Sequence, residues 1–378
     1  MTKVRNSNFE LLRIISIIFI IFMHCTLFGF DLYNQQFSKN KAILDILFAG
    51  GKIGVNCFVL ITGYFMIKST ITFKKVFKLI FQVWFYSVLI MLIGLLFMHK
   101  SLSINTFLSL IFPNIFGNYW FLTCYIVLYL LIPFINKTVL TFGKEFHKKI
   151  LLALIILWSI IPTILFNAYV AYSDLGWFIV LYLLGGYIRL YHSSKDKFKQ
   201  YFLRFLIWFG ICLILTVGID FLSTKLDYFK NSAPTLTSST LAPYFVHFLN
   251  MNSLPLLLAS IYLFLAFKNL NIKQSKIINT IASTTLGIYI IHEHIFVKYY
   301  IWQSIFKNKM YYYDIIHIIG SAFISVFIVF IVGCIIDLVR QKLIEKPVMK
   351  LFDKYYPSIK EKILNSKLYL KGKEIYEK

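Results

Sequence analysis

Acidic residues are scarce in this chain, and so are the usual signatures of soluble enzymes. Of 378 residues only 16 are Asp or Glu, and charged residues of both signs make up 15%. Set against 59% hydrophobic residues, that excludes a disordered chain, a collagen-like chain and a coiled coil. It also excludes a soluble globule, whose surface would have to be mostly apolar. There is no Gly-rich phosphate loop, no GxSxG turn and no HExxH helix, so three common catalytic frameworks are absent. The five cysteines, Cys25, Cys57, Cys124, Cys212 and Cys334, include no CxxC pair. Each lies in or at the end of an apolar run and reads as a buried, unpaired thiol. No fixed-period repeat is visible, which counts against an inverted-repeat transporter.

What the chain does have is apolar length, with a mean hydropathy of +0.73. A membrane crossing needs roughly 20 apolar residues. Ten runs qualify, at about 9–29, 48–67, 76–98, 119–140, 150–167, 174–191, 202–222, 250–267, 278–297 and 315–338. The expected fold is therefore an all-α polytopic membrane protein with about ten transmembrane helices. The second run is the weakest, because it carries Lys52, Asn56 and Thr62. Polar groups in hydrocarbon are costly unless they face protein or water, so a weak run is often a working one. The first run resembles a signal peptide but has no small-x-small cleavage site and contains Arg13 and His24, so it reads as a retained helix.

Orientation follows from the basic residues. With the N-terminus inside, the inner segments up to the tail hold 18 Lys and Arg and the outer ones 8, and the tail from Arg340 adds 11 inside. Both termini are then cytoplasmic. The net charge of +23 does not indicate nucleic acid, because the basic residues sit in short clusters between apolar runs. The outer connection 223–249 reads as a loop or lid. Residues 348–378 form a basic cytoplasmic tail suited to the anionic inner leaflet.

The first helix is the informative segment. Glu10 and Arg13 are three apart and can pair on one face. Arg13 and His24 are eleven apart, about three turns, so they share a face with an axial separation of roughly 16 Å. One stripe thus offers a guanidinium, whose forked donors suit phosphate, and a deeper imidazole able to take a proton from a hydroxyl. The same residues also fit a headgroup anchor and a packing histidine.

Several segments resemble one family. Arg13 and His24 form an Arg-x10-His pattern preceded by acidic Glu10. The run Gly54-Val55-Asn56-Cys57-Phe58 through Thr62-Gly63-Tyr64 is similar to the second-helix motif of the membrane acyltransferase 3 family. Tyr119-Trp120-Phe121-Leu122, Leu286-Gly287-Ile288-Tyr289-Ile290-Ile291-His292 and the closing Glu345-Lys346-Pro347 resemble further motifs of that family, in its order. The resemblance runs from Glu10 to Pro347, nearly the whole chain, and makes 1–347 an acyltransferase 3-like transmembrane domain.

The resemblance implies transfer of an acyl group, often acetyl, from cytoplasmic acyl-CoA to sugars on lipid-linked or surface glycans. His24 would be the catalytic base or acyl relay. Arg13, with Glu10, would bind the donor. Lys74, Lys75 and Lys78 stand where the family usually has arginines, and would serve the CoA phosphates. Lys52 and Asn56, an i,i+4 pair, together with Tyr119, Trp120 and His292, are the acceptor-side candidates, although Tyr119 and Trp120 also fit an aromatic belt. His292-Glu293-His294 does not read as a metal site, since adjacent helix positions point to different faces. Asp337 and Arg340 are expected to pair, and His99, His147 and His192 to be loop histidines without a role. No permanently bound cofactor is expected, acetyl-CoA being a substrate. The expected partners are the bilayer, the donor and the glycan, with a second copy of the chain as a further candidate and nucleic acid not among them. The expected location is the bacterial plasma membrane. The competing function is a glycan-lipid flippase or oligosaccharide transporter, because buried Arg, Lys and His fit a substrate path as well.

Overall fold

A computed structural model describes residues 5–97, 102–165, 172–225 and 244–364. Among these every regular element is helical, with no strand. His99, most of the 223–249 connection and the tail beyond 364 lie outside the described residues. Helix α1 (Ser7–His24) runs on through a π-helical turn, Cys25–Gly29. It is followed by α2 (Lys39–Met66), α3 (Phe73–Phe97), α4 (Ile104–Ile111), α5 (Trp120–Ile155), α6 (Ile161–Ile164), α7 (Asp174–Tyr191) and α8 (Phe198–Lys225). Then come α9 (Leu254–Lys268), α10 (Lys276–Ala282), α11 (Thr285–Glu293), α12 (Ile315–Arg340) and α13 (Lys346–Leu364).

Starts are set by side-chain caps. The Ser38, Ser173 and Ser275 hydroxyls accept from the backbone N–H of Lys41, Gly176 and Ile278, and Asp314 accepts from Ile316 and His317. Seven helical stretches among the described residues are long and apolar enough to cross a membrane. Three of the ten apolar runs are not among them as separate helices. The fifth run is continuous with the fourth, as Trp120–Ile164, 45 residues. At 1.5 Å per residue that is more than twice the ~30 Å hydrocarbon thickness. Gly143, at φ 78° and ψ −166°, breaks it into two arms. The sixth run is the 18-residue α7, with Asp174 and Arg189 at its ends. The ninth run is not one helix: it breaks at Ser283 and Thr284, between α10 and α11.

The weak second run is the centre of the bundle. In α2, 72% of the most apolar window is buried. Its polar residues face protein, as the cost of a bare polar group in hydrocarbon demands. Lys41 is fully buried against Asp45 and against Asp220, 3.0 Å away on α8. Glycines let neighbouring backbones close in. A Cβ on Gly54 would stand 2.5 Å from the Ser16 carbonyl oxygen of α1, and one on Gly63 would collide with the Tyr182 carbonyl of α7. α1 and α7 therefore clamp α2 from two sides. By contrast α12 presents Ile324, Ile328, Ile331 and Ile335 on an exposed apolar face. That face suits lipid.

Asn56 does not pair with Lys52. Its amide donates to the Met251 carbonyl (2.8 Å) and the Ser260 hydroxyl (3.1 Å), and its oxygen accepts from the Trp177 indole (3.2 Å). It is a fully buried tie between α2, α7 and α9. His147 is not a loop residue either. It is buried in α5 and bonded to the Leu183 carbonyl. The five cysteines are free, four of them buried.

Candidate active site

Arg13, Ile17, Ile20 and His24 follow one another at helical spacing along α1, and all four line one cavity of about 260 Å³. Val55, Phe58 and Thr62 of α2 line it as well, with Trp120, Phe121 and Tyr125 of α5 and Thr285, Leu286 and Tyr289 of α11. The walls are mainly apolar and aromatic. A larger chamber of about 530 Å³ adjoins it, lined by Arg5, Glu10, Arg13, Lys75, Lys78 and Gln82 among others. The two spaces share Arg5, Arg13, Thr62, Leu79, Tyr125 and Leu286, so Arg13 stands where they meet.

In that basic chamber most cations already have a partner. Arg13 Nη1 donates to Glu10 Oε1 at 2.8 Å, as the i,i+3 spacing predicts. Glu10 is buried, and Arg5 approaches its other oxygen at 3.9 Å. Lys78 pairs with Glu345 at 2.5 Å, and Lys74 pairs at the surface with Asp353 at 2.6 Å. Glu345 also accepts from Arg340 Nη1 (2.8 Å), while Arg340 Nε donates to Asp337 (2.8 Å). Tyr86, Gln82 and Gln341 complete the bonding around Asp337. The carboxylate of the closing Glu-Lys-Pro segment is thus the counter-ion of a chamber lysine. Of the three inner lysines, Lys75 and Lys78 line the chamber and Lys74 is not among the lining residues.

At the far end of the cavity His24 Nδ1 lies 2.9 Å from His292 Nε2, and His292 Nδ1 lies 2.6 Å from the Ile288 carbonyl. A carbonyl can only accept, so His292 carries its proton on Nδ1, and its Nε2 accepts from His24 Nδ1–H. This assigns the lone pair of His24 to Nε2, which has no hydrogen bond to any described residue. Glu293 Oε2 lies 3.2 Å from the same His24 nitrogen, at ion-pair distance without hydrogen-bond alignment, and Glu293 Oε1 faces Lys298 at 3.5 Å. A neutral imidazole with a bare nitrogen, steered by a second ring and a carboxylate, is the arrangement of a general base.

The chain belongs to the acyltransferase 3 family. The match is to a family model described as an acyltransferase domain, and it covers residues 6–337. No curated protein and no solved structure matches the chain. The protein is thus a membrane acyltransferase, and the bundle around α1 is where its chemistry is to be sought.

Two placements in the acyltransferase differ from the sequence reading. Tyr119 does not face outward as a belt residue would: it is 1% exposed, and its hydroxyl has no hydrogen-bond partner among the described residues. It stands behind Tyr289, with ring centres 6.3 Å apart. His292 and Glu293 do not diverge, because α11 ends at Glu293 and the chain turns there. Together with His24 they bring three potential metal-ligand atoms within 4.8 Å of one another, although the two histidines already bond each other. Trp120 does line the cavity, and the Lys52 ammonium lies 5.0 Å over its ring. Arg5, Tyr289 and Glu293 are site residues that the sequence reading did not single out. For Tyr289 a signal was present: it is three residues before His292, on the same helix face.

Proposed function

We propose that the protein is an O-acyltransferase of the bacterial plasma membrane that moves an acyl group, most simply acetyl, from cytoplasmic acyl-CoA to a hydroxyl of a cell-envelope or exopolysaccharide sugar. The observation that carries this reading is the Arg13–His24 stripe, which lines one passage from a cationic chamber to a bare imidazole nitrogen. The two residues are roughly 16 Å apart along the helix, a distance that an extended pantetheine arm can bridge.

Ten crossings with both termini inside is the arrangement proposed. To the seven long apolar helices it adds the second arm beyond Gly143, α7 and the α10–α11 pair. The Lys and Arg excess then lies on the cytoplasmic side. The donor phosphates dock among Arg5, Arg13, Lys75 and Lys78, with Glu10 holding the Arg13 guanidinium in place. The thioester reaches into the apolar cavity. The acceptor hydroxyl arrives from the opposite side, past Trp120 and Lys52. His24 Nε2 takes the hydroxyl proton as the oxygen attacks the thioester carbonyl, and returns it to the departing CoA thiolate. His292 holds the imidazole in the required tautomer, with the Glu293 carboxylate 3.2 Å from the same nitrogen.

Purified protein given labelled acetyl-CoA and a membrane glycan extract is expected to transfer label to glycan, and His24→Ala to abolish transfer while inserting normally. Loss of one glycan acetyl group from a deletion strain, seen by mass spectrometry, is the matching result in cells. Glycan translocation without consumption of acetyl-CoA would instead establish the transporter reading.

A further inference from the structure

Five hydroxyl-bearing residues line the cavity beside His24, and four have their hydrogen bonds within the protein. Thr62 donates to the Phe58 carbonyl (2.9 Å) and lies 3.0 Å from the Tyr125 hydroxyl. Ser283 and Thr285 donate to the carbonyls of Thr280 and Ala282. Tyr289 is the exception. It is 7% exposed, and its hydroxyl is buried without a hydrogen-bond partner among the described residues. A buried, unpartnered hydroxyl costs stability and calls for a reason.

Its position supplies one. Tyr289 lies on α11, one turn before His292, and its ring centre is 6.4 Å from that of His24. His24 belongs to the α1 wall and Tyr289 to the facing α11 wall. Both line the cavity, so a group held in it can meet a proton acceptor from α1 and a hydrogen-bond donor from α11. This is the geometry that acyl transfer requires: a base for the attacking hydroxyl and a fixed donor where negative charge develops.

We propose that the Tyr289 hydroxyl donates a hydrogen bond to the carbonyl oxygen of the acyl thioester and stabilises the oxyanion formed during transfer; the proposal rests on the acyl-CoA reading above. As the acceptor oxygen bonds to the carbonyl carbon, its proton passes to His24 Nε2. The carbonyl π electrons move onto oxygen, which accepts the Tyr289 hydrogen bond. The C=O bond then re-forms, the C–S bond breaks, and the CoA thiolate takes the proton from His24. Tyr289 keeps its own proton throughout. Its missing partner in the free protein is the oxyanion.

The test compares wild type, His24→Ala and Tyr289→Phe in nanodiscs, using acetyl-CoA with a membrane glycan extract and following release of CoA thiol. Tyr289→Phe keeps the ring and removes only the hydroxyl. The expected result is a fall in kcat of roughly 10²–10³-fold, in the range for loss of one oxyanion donor, with the KM for acetyl-CoA unchanged. The melting temperature is expected to hold or rise, because no hydrogen bond of the free protein is lost. Wild-type turnover in Tyr289→Phe, a raised KM with intact kcat, or a lowered melting temperature overturns the assignment alone. Wild type that releases no thiol above the His24→Ala level overturns the acyl-CoA reading and this inference with it.

Discussion

His24 and His292 meet nitrogen to nitrogen at 2.9 Å, across 268 positions of sequence. Because the second ring is anchored on the Ile288 carbonyl, this contact fixes the location of the proton on the first. His292→Phe keeps a ring of similar size but removes the acceptor, so His24 is free to take the wrong tautomer. The expected kcat is lower by roughly 10²-fold or more, with little change in donor KM. Steady-state kinetics on acetyl-CoA would decide the matter. Unaltered turnover would mean that His292 only packs.

Arg13 is a different kind of residue, with its side chain 29% exposed at the junction of chamber and passage. Its proposed role is uniform binding of the donor. Arg13→Ala is expected to raise the KM for acetyl-CoA by about 10- to 100-fold, as for loss of a charge-assisted hydrogen bond, and to leave kcat near wild type at saturation. Arg13→Lys restores the charge without the fork and should fall between the two. A kcat defect with normal KM would place Arg13 in the chemical step instead.

Gly63 tests the architecture apart from the chemistry. Any side chain there meets the Tyr182 backbone of α7, which cannot swing aside. Gly63→Ala is expected to cost about 1–3 kcal/mol through forced separation of α2 and α7. Gly63→Leu is expected to prevent stable insertion. Thermal melting of purified protein and the yield of membrane-integrated chain measure these effects. A Gly63→Leu protein with the wild-type melting temperature would show that α2 and α7 do not approach as closely as described.

The sequence made parts of this molecule legible and hid others for physical reasons. The α1 stripe could be read because a helix carries positions 13, 17, 20 and 24 onto one face whatever surrounds it. The pairing of Glu10 with Arg13, and of Asp337 with Arg340, could be read for the same reason. The ninth apolar run reads as one continuous helix, since hydropathy averaged over the window hides a two-residue break at Ser283 and Thr284. That break, with the end of α11 at Glu293, is what turns Tyr289, His292 and Glu293 toward His24. Asn56 looked like a ligand-facing polar residue because its partners lie on α7 and α9, more than a hundred positions away. Likewise Lys74 and Lys78 looked like free cations, since the carboxylates that hold them come from the far end of the chain.

One unbroken 18-residue helix carries both Arg13 and His24. A rigid rod acts as a gauge: the interval between grip and base stays constant while the rest of the bundle breathes. Opening and closing around a substrate must therefore come from the opposing walls, α3, α5 and α11. Donors whose reach is shorter or longer than that interval would sit out of register with the imidazole, so arm length itself becomes a filter on what the protein can use.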